Sequence, residues 1–175
     1  MTDQFQNLQV DLQTLPKIEE IVFTAIDKKY LKVSLLSSGL FFVALAIGGV
    51  LMMYFNSEEL KQNVYLPAAL IYAFVLILNI TLLKLGFKKK KYAVREKDIV
   101  YTKGLIWSVR TSIPFNRIQH AEIKQGPIER KFKLSSLKVF TAGGQSSDLV
   151  IPGLPSEKAL ELKDFVLGKT AEDGE

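Results

Sequence analysis

Two uncharged apolar runs dominate the hydropathy pattern, Val33 to Phe55 and Val64 to Leu83, and Lys88-Lys89-Lys90-Lys91 follows the second almost at once. Each run has the roughly 20 apolar residues that a helix rising about 1.5 Å per residue needs to cross a bilayer core. Inside hydrocarbon every backbone N–H and C=O must be satisfied within its own segment, and two runs cannot close a barrel. The pattern therefore predicts a two-helix membrane hairpin over residues 31–87. Ahead of it, Leu8, Val10 and Leu12 alternate with polar residues at the strand period, which fits either an added edge strand or chance alternation in a loose terminus. From Lys17 to Tyr30 the apolar positions Ile18, Ile21, Val22, Ala25, Ile26 and Tyr30 recur at helical spacing. Residues 1–30 thus read as an N-terminal arm carrying an amphipathic helix.

Beyond the lysine run the period changes to short strands separated by turn residues. Strands are expected at about Lys90–Arg95, Ile99–Lys103, Ile106–Ile113, Ile118–Lys124, Ser136–Thr141 and Asp148–Ile151, with breaks at Glu96-Lys97-Asp98, Gly104, Pro114, Gly126-Pro127, Gly143-Gly144 and Pro152-Gly153. A final amphipathic helix starts near Pro155 or Ser156, places Ala159, Leu162 and Val166 on one stripe, and stops at Gly168. Residues 88–168 then form a mainly-β soluble domain, a small barrel or sandwich closed by the helix, and residues 169–175 a disordered tail. Trp107, beside Leu105 and Ile106, reads as a core residue.

Charge adds an orientation to this picture. The net +5 is unevenly spread: residues 88–154 hold fourteen Lys and Arg against five acids, whereas residues 155–175 hold three against six. Lys28, Lys29 and Lys32 precede the first run, and the connecting loop offers only Lys61 beside Glu58 and Glu59. An excess of Lys and Arg marks cytoplasmic flanks, so both termini are expected on the cytoplasmic side of the inner (plasma) membrane. The absence of cysteine removes disulfides, thiolate metal sites and cysteine nucleophiles together. No ionisable residue lies between Val33 and Ser57 or between Gln62 and Leu83, which argues against proton relays, voltage sensing and ion pathways. Asn79-Ile80-Thr81 fits a glycosylation sequon but lies at bilayer depth, where no glycan could be added. Ala44 and Gly48 form a small-xxx-small pair that would allow close helix approach, and Asn79 could bond across to the other helix or to a second subunit.

Catalytic chemistry finds little material. The single histidine, His120, stands in a strand as a surface or barrel-wall residue, and Gly143-Gly144-Gln145-Ser146-Ser147 lacks the Lys-Ser/Thr of a phosphate loop and reads as a hairpin turn. No nucleophile elbow or paired-carboxylate constellation is present, so neither catalytic residue, cofactor nor metal ligand is assigned. Two basic groups remain as candidate lipid-binding residues. Lys88, Lys89, Lys90 and Lys91 set topology and attract anionic lipid at about 1 kcal/mol each near the surface. Arg130, Lys131 and Lys133, with Lys124 and Lys138 nearby, could meet a phosphate headgroup or an acidic partner if their turn projects. Nucleic acid is a poor partner for a membrane-tethered domain without an aromatic stacking row.

Three further segments carry a resemblance. Ile113-Pro-Phe-Asn-Arg-Ile-Gln119, the stretch Ile123-Lys-Gln-Gly-Pro-Ile-Glu-Arg-Lys-Phe-Lys-Leu134, and Thr141-Ala-Gly-Gly144 resemble the pleckstrin-homology-like domain of the bacterial YdbS-like membrane proteins, over roughly Tyr30 to Gly168. Two positions depart from that pattern: Lys131 separates Arg130 from Phe132, and Lys133 stands where a small residue is usual. The resemblance implies a pleckstrin-homology-like barrel capped by a C-terminal helix and a role as a binding platform without catalysis. The leading expectation is a membrane-anchored scaffold that presents this domain to a membrane-protein partner or to another copy. The alternative is an anionic-lipid-binding module built on the basic turn.

Overall fold

The computed structural model describes residues 21–55, 64–142 and 148–172. The alternating segment at residues 8–12, the loop between the apolar runs and the Gly143–Ser147 turn lie outside the described residues. The first element, β1, is the two-residue strand Thr24–Ala25. Helices α1, Lys29–Phe55, and α2, Tyr65–Lys88, follow and contain the two apolar runs. Both are long and apolar enough to cross a membrane, and almost none of their residues is fully buried by the rest of the chain. Apolar surface left this bare is suited to lipid rather than water.

Among the described residues, seven strands in two antiparallel sheets make up the domain. Sheet A runs β1–β2–β3–β4, with β2 at Lys91–Val94, β3 at Asp98–Lys103 and β4 at Val109–Pro114. After a 3-10 turn at Phe115–Arg117, sheet B runs β5–β6–β7, with β5 at Ile118–Lys124, β6 at Leu134–Thr141 and β7 at Leu149–Pro155. A short helix α3, Pro127–Lys131, joins β5 to β6, and α4, Ser156–Glu172, closes the chain. The core lies between the sheets and under α4. Ile99, Phe115, Leu137, Val139, Ile151, Ala159 and Val166 are all fully buried in it, which is the expected fate of the inward half of each alternating strand and of the apolar stripe of α4. Phe165 meets Phe115 edge-to-face at 5.8 Å. This is a pleckstrin-homology-like fold behind a membrane hairpin.

Several expectations are corrected. The described part of residues 17–30 is not a helix: residues 21–28 are extended or turn, and β1 pairs with β2 through Thr24 with Tyr92 and Ala25 with Lys91. Ile26, which the helical spacing placed on an amphipathic face, is 3% exposed in the domain core. Its burial outweighs the weak helical preference of a segment this short. The soluble unit consequently begins before the hairpin, which is inserted between its first two strands. At the other end, Gly168 does not stop α4, which continues through Lys169 and Thr170 to Glu172. The Thr170 hydroxyl donates to the Val166 carbonyl at 2.9 Å within the helix and lies 3.3 Å from the Phe115 carbonyl, so this last turn stays against the domain. Trp107 is not core; it is 83% exposed in the turn between β3 and β4.

Candidate functional site

Strand register determines which groups gather where the hairpin joins the domain. Ala25 pairs with Lys91, Lys91 with Thr102, and Lys103 with Val109. The end of β1, the start of β2, the end of β3 and the start of β4 therefore share one end of sheet A, the end from which the chain enters α1 and to which it returns from α2. Asp27 organises this junction. Its backbone N–H donates to the Gly153 carbonyl at 2.9 Å, and its carboxylate accepts the Lys29 N–H at 2.7 Å, satisfying one of the orphan donors at the start of α1. Tyr30, the second residue of α1, packs against Gly153, where a Cβ would come within 2.6 Å of the Tyr30 Cβ and Cγ. Gly153 also has φ +67°, so both the close approach and the backbone require glycine.

Beside this contact is a cavity of about 460 Å³ whose lining includes Lys90, Lys103, Lys124 and Lys138, together with Tyr30, Tyr101, Glu129 and Ser136. Each lysine arrives from a different element: the α2–β2 connection, the end of β3, the end of β5 and the middle of β6. Lys138 sits between the buried Leu137 and Val139 and so points to the outer face of sheet B. The Lys90 ammonium stands 4.9 Å from the centre of the Tyr30 ring. Partial burial, and then the charge of Lys103, holds the Lys90 pKa below the usual lysine range. Burial, with Tyr30 contributing less, pushes the pKa of the Tyr101 hydroxyl well above its ordinary value. The one carboxylate in the lining, Glu129, is already engaged: it accepts the Gly126 N–H at 2.8 Å and the Ser136 hydroxyl at 3.1 Å. Four lysines and one hydrogen-bonded carboxylate in a single lining make a cavity suited to an anion with several oxygens.

The residues singled out from sequence fall into three groups. Of the lysine run, Lys90 alone lines this cavity; Lys88 ends α2, Lys89 follows it, Lys91 opens β2, and all three are exposed. Arg130 and Lys131 are exposed on α3 and Lys133 follows it, but none of the three lines the cavity. Ala44 and Gly48 line an open cleft of about 680 Å³ between α1 and α2 at the end away from the domain. A Cβ at Gly48 would meet nothing within 4 Å, so this pair does not bring the two helices together as its spacing suggested. Larger groups make the hairpin contact instead. The Ser38 hydroxyl donates to Asn79 Oδ1 at 2.6 Å, and the Tyr72 hydroxyl donates to the Phe42 carbonyl at 2.8 Å.

Lys103 and Tyr30 escaped the sequence reading. Alternation assigns Lys138 to an outer face, but nothing local shows that the start of α1 covers that face. The recurring motif Gln125 to Leu134 turns out to support the fold. Gln125 Nε2 donates to the Leu134 carbonyl at 2.8 Å and to the Ser156 hydroxyl at 2.9 Å, tying β6 to the start of α4. His120 lies on the outer face of β5, stacked on Phe140 at 4.2 Å with Glu122 3.7 Å away. Among the described residues no group of three or more His, Asp or Glu could hold a metal.

Comparison with known proteins adds to this geometry. A family model described as a bacterial PH domain matches residues 38–170. The UPF0699 transmembrane protein YdbS of Bacillus subtilis (strain 168) is 34% identical over 83 residues, 47% of this chain and 50% of that protein, so the chain spans about half the length of the curated relative it matches. Among solved structures, a DUF1696 family protein with a pleckstrin-homology domain from Shewanella loihica PV-4 aligns with a TM-score of 0.37 and 14% identity, covering 46% of this chain and 70% of that one.

Proposed function

The chain belongs to the bacterial PH-domain family, and on that premise we propose that it is a non-catalytic, membrane-anchored module whose domain binds anionic phospholipid headgroups in the cavity beside Tyr30. The observation that carries this reading is the convergence of Lys90, Lys103, Lys124 and Lys138 on one cavity at the first turn of α1. That turn lies directly before the apolar run, the depth at which phosphates of the adjacent leaflet stand. The lysine excess around the hairpin supports a cytoplasmic position for the domain and both termini, against the leaflet that holds anionic lipid. Residues 88–91 then act as an outer basic collar and the cavity as the headgroup seat. Presentation to a protein partner or another copy finds no comparable convergence of groups among the described residues.

The test uses the full chain in a mild detergent, titrated with short-chain phosphatidylglycerol or phosphatidylcholine while its thermal unfolding is followed. A ligand that binds the native state alone raises the melting temperature, by an amount that grows with the logarithm of its concentration above Kd. Phosphatidylglycerol should stabilise more than phosphatidylcholine at low salt, and the difference should shrink as salt screens the site. K103Q/K138Q should abolish the difference, whereas R130Q/K131Q should leave it in place. Equal stabilisation by the two lipids, or an effect that follows R130Q/K131Q instead, would refute the cavity as the seat.

A further inference from the structure

The geometry points to the β3–β4 turn as a second membrane contact, an apolar finger whose Ile106 and Trp107 enter the bilayer interface beside the hairpin. Ile106 is 78% and Trp107 83% exposed, two consecutive large apolar side chains at the tip of a hairpin; among the described large apolar residues of the domain only Val22, at 89%, is more exposed. The turn has a defined shape. Gly104 has φ +103°, and a Cβ there would stand 1.8 Å from the Trp107 carbonyl oxygen, so the chain folds back tightly and carries Ile106 and Trp107 outward. Register gives its direction. Lys103 pairs with Val109, Thr102 with Arg110, and Thr102 with Lys91, so the tip extends from the end of sheet A at which the chain passes into and out of the hairpin. The bilayer that holds α1 and α2 is therefore the apolar phase at this end of the domain.

The surroundings of the tip match a lipid surface. Lys103 and Arg110 flank its base, and Lys88, Lys89 and Lys91 are exposed at the same end. An apolar tip above a basic base follows the order of a membrane leaflet, acyl chain first and phosphate next. An indole has an apolar body and one N–H donor, and it is favoured at the level of the headgroups. With the hairpin as one anchor and the finger as another, the domain would be held to the membrane at two points. This inference requires the hairpin to be in a bilayer and does not require the cation cavity to bind lipid.

Trp107 is the single tryptophan of the chain, so selectively excited emission reports on this turn alone. The full chain would be reconstituted into phosphatidylcholine nanodiscs with either ordinary chains or chains brominated near the headgroup. Trp107 should lose roughly half of its emission in the brominated discs, as an indole at headgroup level beside the first chain carbons would. It should also be poorly quenched by aqueous acrylamide. I106S, checked for native secondary structure, should restore emission in brominated discs and increase quenching by acrylamide. Emission indifferent to bromine and fully open to acrylamide would overturn the proposal and leave the finger as a docking point for a protein. Zwitterionic discs keep the two readings apart: quenching there, with no preference for phosphatidylglycerol in the melting assay, would uphold the finger and reject the headgroup cavity.

Discussion

Lys133 adopts φ +56° directly after α3, a left-handed conformation that costs a residue with a Cβ about 1–2 kcal/mol. Glycine would adopt this backbone at no steric cost. Since Lys133 does not line the cavity, K133G should raise stability by about 0.5–1 kcal/mol, with the gain limited by glycine's greater unfolded-state entropy. It should leave the lipid preference unchanged, and a fall in melting temperature would contradict the strain argument. Asp98 is a second residue with a readable role. Its carboxylate accepts Arg95 Nε at 2.6 Å and the Ser112 hydroxyl at 2.5 Å, and these bonds, Arg95 foremost, hold its pKa below the ordinary carboxylate value. The folded pKa is depressed, so the stabilisation is present above the unfolded value of about 3.9 and is lost as pH falls through the folded value. D98N should cost about 1 kcal/mol at neutral pH, discounted because Arg95 is exposed, and should converge with wild type in acid. Melting curves from pH 7 down to about 3 would show that convergence or its absence.

The hairpin and its junction follow different rules from the sheets. Between α1 and α2 the polar contact Ser38–Asn79 lies in hydrocarbon, where interhelical hydrogen bonds average about 0.6 kcal/mol and reach about 1.7. N79L should loosen the hairpin by about 1 kcal/mol, seen as a lower melting temperature in nanodiscs and a wider helix separation between spin labels. An unchanged separation would mean that the Tyr72–Phe42 contact is sufficient. At the junction, G153A would force a Cβ into the Tyr30 ring and strain a positive φ, costing about 2 kcal/mol or more. Faster hydrogen exchange at Asp27 and in β7, with β2 and β3 unaffected, is the expected outcome. The existence of these elements was legible because length, apolarity and period are local properties. The contact between Tyr30 and Gly153 was not, since nothing within a few residues of either specifies it.

For the whole molecule, the placement of β1 ahead of the hairpin predicts how the domain can be cut. Residues 88–175 alone would lack β1 and Ile26, leaving the β2 edge open and an aliphatic seat in the core empty. A chain that joins residues 21–28 by a flexible linker to residues 89–175 should be more stable by about 2–3 kcal/mol, the worth of one fully buried aliphatic side chain plus its strand pairing. Comparing the two by thermal unfolding in detergent-free buffer would test this, and equal stability would remove β1 from the fold. Much of the architecture was written locally. A run of about 20 apolar residues meets the thickness of a bilayer, alternation meets the pleat of a strand, and the Ala159–Leu162–Val166 stripe meets the barrel, each within one segment. Helix-like spacing over residues 17–30 misled because a short segment takes its conformation from what it pairs with, here Tyr92 and Lys91 across the hairpin. By itself the sequence determined a membrane hairpin, a pleckstrin-homology-like domain and a basic junction between them. Tertiary structure alone decided which lysines share a cavity and which apolar residues stay outside the core. Lys90, Lys103, Lys124 and Lys138 meet only after strand register and the docking of α1 are set, and those depend on contacts between residues far apart in the chain.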